Sequence, residues 1–299
     1  MRSTFVQELI NEAQHNRNLI LLTGDLGSNC LEPFADKFPD RFFNCGIAEQ
    51  NMLAMAAGLA MEGKKVFVYS IGNFDTLRTL EQVRNDICYM NLDVNIIAVG
   101  AGFEYGQLGF SHHTTEDIAC MRCLPNMTVF SPATVREMHG VMRNMFDSSS
   151  PCYVRLNKKG VGDFGSMSAK ACQIIKGQRV AVLATGTIIE EALEAAKLLR
   201  EKGINISVYS FPTIKPKAEK GLKEILKDNE YVFTLEEHSI IGGFGSSVAE
   251  LLAESGIAVK FKMLGIEDRY PDVVGDRVFL RQMYKIDAKS LVKTILKAL

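Results

Sequence analysis

The chain has 299 residues, 47% hydrophobic and 23% charged, with a formal net charge of -1. That length holds two ordinary domains, and the composition is that of a globular protein, not a disordered one. The charge balance offers no global attraction to nucleic acid. The longest apolar runs, such as Leu19–Thr23 and Val94–Val99, are strand-length and far below the roughly 18 to 20 residues that span a bilayer.

Arg2 to Ile10 patterns as an amphipathic helix with acidic residues and lacks the apolar core of a secretory leader, so a cytoplasmic protein is expected. Short apolar runs at Leu19–Thr23, Val66–Ile71, Asn95–Gly100, Met127–Phe130 and Cys152–Leu156 then alternate with helical patterns at Ala48–Met61, Phe74–Met90, Thr115–Leu124 and Thr134–Phe146. That alternation predicts a parallel sheet covered by helices. The stretch Asn157 to Ser166, rich in Gly, Lys and Ser, breaks the pattern and places a domain boundary near residue 170. The grammar resumes with strands at Val180–Thr185, Asn205–Ser210 and Tyr231–Leu235. Helices follow at Ile188–Lys202, Lys217–Lys227 and Phe244–Ser255, and a last helix is capped by Asp287. The basic cluster Lys215 to Lys227 reads as a solvated helix face. Gly242-Gly243-Phe244-Gly245 follows a strand and opens a helix, but fits neither GxGxxG nor a P-loop, and reads as a tight turn rather than an anion site.

Four features of the first half could carry chemistry. Glu49, in Asn44-Cys45-Gly46-Ile47-Ala48-Glu49-Gln50-Asn51-Met52, stands at the mouth of an apolar, small-residue helix that should be buried or lie at a subunit interface. Its charge can be held by the helix terminus or its pKa tuned by burial, and it can also be no more than a helix-end charge. Tyr69 to Phe74 is a strand end entering a helix, where ligands sit in open parallel sheets, although Phe74 alone reads as core. Gly106 to Asp117 is a glycine-rich loop with paired histidines, His112 and His113, favouring a polar site. Arg155 ends an apolar strand and can bind an anion or reach solvent from a sheet edge. The seven cysteines are an odd number that fits reduced core thiols, and Cys120-Met121-Arg122-Cys123 lacks the second pair or histidine of a metal site. No Ser-His-Asp elbow, HExxH site or glycosidase carboxylate pair is present.

Taken in order, Gly46 to Met52, Arg84-Asn85 within Leu80 to Asn85, Gly109-Phe110-Ser111-His112 and Met121 to Asn126 resemble motif blocks of the C-terminal half of transketolases, and the likeness spans essentially the whole chain. The resemblance implies an α/β fold of two open, largely parallel-sheet, three-layer domains: a pyrimidine-binding domain over 1–168 and a transketolase-like C-terminal domain over 169–299. It implies that Glu49 hydrogen-bonds N1′ of the thiamine diphosphate aminopyrimidine, favouring the imino tautomer whose 4′-nitrogen takes the C2 proton. The cofactor then carries the carbon–carbon chemistry, moving a two-carbon ketol unit from a ketose to an aldose. By the same resemblance Phe74 stacks on the aminopyrimidine, His112 contacts the donor near the reacting carbon, and Arg155, with Arg2 and Ser28, takes the substrate phosphate.

The family's diphosphate and metal are held by a separate N-terminal domain with a GDG motif, which Gly24-Asp25-Leu26 is not. The resemblance therefore implies one subunit of a split transketolase. It has no metal site of its own, Mg2+ or Ca2+ is held by a diphosphate-binding partner of similar size, and the complex is an α2β2 one. Gly100 stands where the family usually has a substrate-binding histidine, Leu108 where it has an aspartate, and Ile71 where a second phenylalanine often packs. These departures imply an acceptor other than the usual pentose or tetrose phosphate. Three alternatives remain at this level: a 2-oxo-acid dehydrogenase beta subunit, a deoxyxylulose phosphate synthase origin, and a non-catalytic subunit of the same fold.

Overall fold

The computed structural model describes residues 1–299. Its strands are β1 Leu19–Thr23, β2 Phe42–Asn44, β3 Lys65–Ile71, β4 Val94–Val99, β5 Thr128–Phe130, β6 Cys152–Leu156, β7 Cys172–Ile175, β8 Val180–Ala184, β9 Ser207–Ser210, β10 Thr213–Lys215, β11 Tyr231–Ser239 and β12 Lys260–Ile266. The helices are α1 Arg2–His15, α2 Glu32–Lys37, α3 Glu49–Met61, α4 Leu80–Gln82, α5 Asp117–Arg122, α6 Val135–Asp147, α7 Ile189–Arg200, α8 Glu219–Asp228, α9 Phe244–Ser255, α10 Arg277–Met283 and α11 Ala288–Ala298. No helix is long and apolar enough to cross a membrane.

Two sheets form, ordered β10-β5-β6-β4-β3-β1-β2 and β12-β11-β8-β9-β7. Every pairing is parallel except β10 with β5 and β7 with β9. The strands are apolar runs without alternation because helices cover both faces. In β1, Ile20 and Leu22 join a core with α3, while Leu19 and Leu21 point to the opposite core with α1 and α6. Val66 and Val68 against Phe67 and Tyr69 divide β3 in the same way. The α3 side of the first sheet is continuous with the α9 side of the second, through residues such as Leu183, Phe211, Phe244 and Val248.

Several details depart from expectation. The segment expected as a helix from Phe74 begins as hydrogen-bonded turns and becomes helical at Leu80, continuing as a π-helical stretch over Val83–Cys88. β10 comes from beyond the boundary region yet adds to the first sheet by antiparallel pairing with β5. Of the cysteines, only Cys88 and Cys152 are buried, and Cys123 is exposed, so the core-thiol reading holds for two of the seven. The linker after β6 has no regular structure but is pinned to α6: Val161 N–H donates to the Ala133 carbonyl at 2.9 Å, and Thr134 Oγ1 donates to the Phe164 carbonyl at 3.2 Å.

The turn at Gly242-Gly243 already holds an anion of the protein's own. Glu236, on β11, accepts the Phe244 and Gly245 N–H groups at the α9 terminus, at 2.7 and 2.8 Å. A Cβ on Gly243 would fall 2.2 Å from that carboxylate, which explains the glycine and leaves no room for a phosphate. Burial pushes the Glu236 carboxyl up to about 7 against the opposing pull of those N–H donors. Burial also pushes its neighbour His238 down to about 4, against the attraction of Asp117.

The two groups act oppositely on stability. Glu236, raised in the folded state from 4.5, removes stability as pH climbs from about 4.5 to 7, whereas His238, lowered from 6.5, adds it between about 4 and 6.5. Replacing the histidine in His238→Gln should expose the glutamate's decline, on the order of 1 kcal/mol per pH unit between pH 5 and 7, in urea unfolding. An unchanged pH profile in the variant would contradict this assignment.

Candidate active site

The strand order fixes where a crevice opens. From β1 the chain moves to β2 on one side, then crosses back to β3 on the other, so the loops leaving the C-terminal ends of β1 and β3 diverge. Such a switch point is where open parallel sheets leave a ligand crevice. Glu49 lies beside it. It opens α3 after β2, where the terminal amides favour a negative charge, and it is 2% exposed. Gly24, just past β1, packs against it: a Cβ there would sit 3.5 Å from Glu49 Cγ.

From β3 comes the counter-charge. Arg78 Nη1 donates to Glu49 Oε2 at 2.6 Å, while its guanidinium lies 4.7 Å over the Phe74 ring. Phe74 in turn meets the His112 ring edge-on, with centroids 5.4 Å apart. Asn73 ties the two loops together, its Nδ2 donating to the carbonyls of Ser111 at 3.2 Å and His113 at 2.6 Å. Glu49, Phe74 and His112 are thus brought into one continuous line of contacts. His112 is partly exposed, and burial together with the adjacent His113 pushes its pKa below the ordinary histidine range, favouring the neutral imidazole. His113 is buried, with Nε2 3.0 Å from the Gly106 carbonyl, and serves the loop rather than the crevice.

Arg155 corrects the sequence expectation. Only 2% of it is exposed. Its Nε donates to both carboxylate oxygens of Asp117, at 3.2 and 2.9 Å, and its Nη2 to the carbonyls of Thr114 at 2.5 Å and Glu237 at 2.7 Å. Asp117 also accepts the Tyr153 hydroxyl at 2.8 Å. This guanidinium is spent on a buried seam between the first sheet and β11, because it balances a carboxylate that would otherwise be uncompensated in the interior. It is not open to a substrate phosphate. Arg2 and Ser28 lie elsewhere: Arg2 is half-buried beside Tyr69, Cys30 and Tyr105, and Ser28 is exposed on the loop after β1, lining a cavity of about 180 Å³ with Asp25 and Asn44.

Three residues escaped the sequence reading. Arg78 was hidden because residues 74–79 looked like an ordinary helical turn. Lys158, in the stretch read as linker, places its Nζ 4.1 Å over the Tyr105 ring, near Arg2. Asp75 is fully buried with neither carboxylate oxygen hydrogen-bonded, and burial, aided by Asp117 and Glu49, raises its pKa well above the carboxylate range. Ser70 Oγ, Asn73 Oδ1 and Thr79 Oγ1 are likewise buried without partners, so unsatisfied polar atoms cluster around Phe74. A cavity of about 770 Å³ between β6, β10 and α8 includes none of the expected site residues.

Residues 1–162 match the transketolase pyrimidine binding domain and residues 169–291 the transketolase C-terminal domain. The chain belongs to the transketolase family. It is 38% identical to a putative transketolase C-terminal section from Methanocaldococcus jannaschii, over 99% of this chain and 95% of that protein. It is 35% identical to one of the subunits of an apulose-4-phosphate transketolase from Actinobacillus succinogenes, over 98% of this chain and 96% of that one. A solved split gene transketolase, an inactive beta4 tetramer, superimposes with a TM-score of 0.90 at 35% identity, covering 100% of this chain and 97% of the other. Transketolase membership implies dependence on thiamine diphosphate. The residues present suit the pyrimidine end of that group: a buried carboxylate at the crevice, a half-buried aromatic ring beside it, and unpartnered polar atoms around both.

Removing Arg155 should therefore damage the fold rather than a substrate contact. Arg155→Ala is expected to cost about 3 to 5 kcal/mol in urea unfolding, because Asp117 is left buried and unpaired. A loss within about 0.5 kcal/mol, the usual range for surface changes, would restore the phosphate reading.

Proposed function

We propose that this chain is the pyrimidine-binding subunit of a split, thiamine diphosphate-dependent transketolase that moves a two-carbon ketol unit from a ketose phosphate to an aldose acceptor. The observation that carries the reading is Glu49, a buried carboxylate at the mouth of the crevice with its neighbours Phe74 and His112 in line. When bound, thiamine diphosphate supplies the electron sink for breaking and making the carbon–carbon bond. In this reading Glu49 holds a proton at the aminopyrimidine N1′, and Arg78 steadies the carboxylate from the crevice wall. Phe74 supports the ring, and His112, favoured as the neutral imidazole, donates to or accepts from the sugar hydroxyl nearest the reacting carbon. Phosphate recognition passes in this reading from the buried Arg155 to Arg2, Lys158 and Ser28, two cations and a hydroxyl.

The diphosphate and its Mg2+ or Ca2+ belong to a separate subunit in this reading, within an α2β2 complex in the cytoplasm. The surface supports a partner. Only one face of α3 is buried, through Met52, Leu53, Ala56 and Ala57, while Ala54, Met55, Gly58 and Met61 are exposed. Leu77, Met90 and Tyr89, the last 83% exposed, extend this apolar surface on the neighbouring segment, a patch that marks an interaction site. A second subunit seated there would cover the mouth of the Glu49 crevice. The subunit-length relatives and their names favour a transketolase over the 2-oxo-acid dehydrogenase and deoxyxylulose phosphate synthase alternatives. Gly100 and Leu108, which replace polar sugar contacts of the family, point to an acceptor other than the common pentose and tetrose phosphates.

Glu49→Gln keeps the shape and a hydrogen bond to Arg78 while removing the proton-holding carboxylate. In the complex with its diphosphate-binding partner it should lower ketol transfer by about 100- to 10,000-fold with assembly intact, measured by coupled assay and gel filtration. Full activity in the variant would leave only the non-catalytic reading.

A further inference from the structure

The loop that carries His112 is clasped from the second domain. Gly106 approaches the Gly275 carbonyl so closely that a Cβ would lie 2.4 Å from it, and Gly109, at φ +82°, has Val274 as its nearest neighbour. The Phe110 ring also meets Tyr270 at 4.4 Å between centroids, although the residues are 48% and 68% exposed. Tyr270 is itself anchored. The guanidinium of neighbouring Arg269 lies 4.9 Å over the Tyr284 ring, and the Tyr284 hydroxyl donates to the Arg269 carbonyl at 3.2 Å. Tyr284 stacks on Phe103 at 5.5 Å, and Phe103 packs against His113, whose ring nitrogen meets Gly106. Lines of rings and backbone contacts therefore run from Tyr284, just past α10, to Phe110 and His113, which flank Ser111 and His112.

On its other side the loop is tied by Asn73 and Phe74, the residues that stand beside Glu49. The loop has little else. Its own elements are two short 3-10 turns over Gly106–Leu108 and Phe110–His112, so its geometry depends on these two clasps. Since the Phe110–Tyr270 pair is the exposed part of the second-domain clasp, it can be removed without opening the core.

We propose that Tyr270 is a positioning and specificity residue: by holding Phe110 it sets the geometry of the 106–113 loop, and through that loop it places His112 for the sugar. The specificity half rests on the transketolase reading above; the positioning half does not. Tyr270→Ala removes the ring, and Tyr270→Phe keeps it.

Amide hydrogen exchange on the full chain tests the clasp first. Tyr270→Ala should speed exchange across residues 106–113 by about tenfold while the strands of the first sheet stay protected, and Tyr270→Phe should stay within about twofold of the parent. Equal exchange in all three proteins overturns the proposal. The complex with the diphosphate-binding subunit is then assayed with hydroxypyruvate as donor and D-glyceraldehyde 3-phosphate as acceptor. Tyr270→Ala should raise the KM for the hydroxypyruvate donor about tenfold with kcat within about threefold, and Tyr270→Phe should restore it. Faster exchange with an unchanged KM would overturn the specificity half. A parent complex that transfers no ketol unit to any aldose would overturn the transketolase reading and the specificity half with it, while the exchange result still decides the clasp.

Discussion

A sheet covered by helices on both faces can offer its chemistry only at the ends of its strands, and in this protein a single reversal of strand order decides which ends. The divergence after β1 and β3 opens the crevice, and the residues that line it come from three successive loops. A carboxylate there would be expensive to bury. Glu49 is tolerated because it begins α3, where backbone amides point outward, and because Arg78 reaches it across the Phe74 ring. One strand crossover, one helix terminus and one arginine thus set the local electrostatics on which the proposed proton chemistry depends.

Behind that crevice lies a second polar system with a different task. Tyr153 and Arg155 donate to Asp117, Arg155 also donates to the carbonyls of Thr114 and Glu237, and the Glu237 side chain in turn pairs with the buried Arg281 at 2.5 Å. Buried ion pairs of this kind are poor sources of net stability but costly to break, so they fix how one element sits against another. Here they fix β11 and α10 against β6, which carries Arg155, and the helix that begins at Asp117. The loop carrying His112 runs immediately before that helix. The arrangement of the second domain is consequently transmitted to the sugar side of the crevice by charge below and by aromatic contacts above.

Much of this was legible from residues alone. Continuous apolar runs such as Leu19–Thr23 announced strands buried on both faces, and β1 and β6 have the limits that their sequences suggested. Asp287 caps the final helix as expected, accepting the Lys289 N–H at 3.1 Å. The glycines of residues 242–245 read as a turn, though nothing local revealed that Glu236 supplies its anion. What failed to show was long-range. Arg155 at the end of an apolar strand is compatible with an open anion site or a buried pair, and only the position of Asp117, 38 residues away in sequence, decides between them. The short edge strands β2, β7 and β10 were missed because their pairing is set by neighbours rather than by periodicity. Lys158 hid in a segment whose composition resembles a linker, although that segment is strapped to α6 and to Tyr105.

In the proposed reading the site is completed between two subunits, with the proton-holding carboxylate on this one and the diphosphate and its metal on the other. The direct measurement is calorimetric titration of thiamine diphosphate with Mg2+ into this chain, into a GDG-bearing partner subunit, and into their mixture. Tight binding confined to the mixture is the expected result. Tight binding to this chain alone would contradict the claim, because it would require a diphosphate site within these 299 residues.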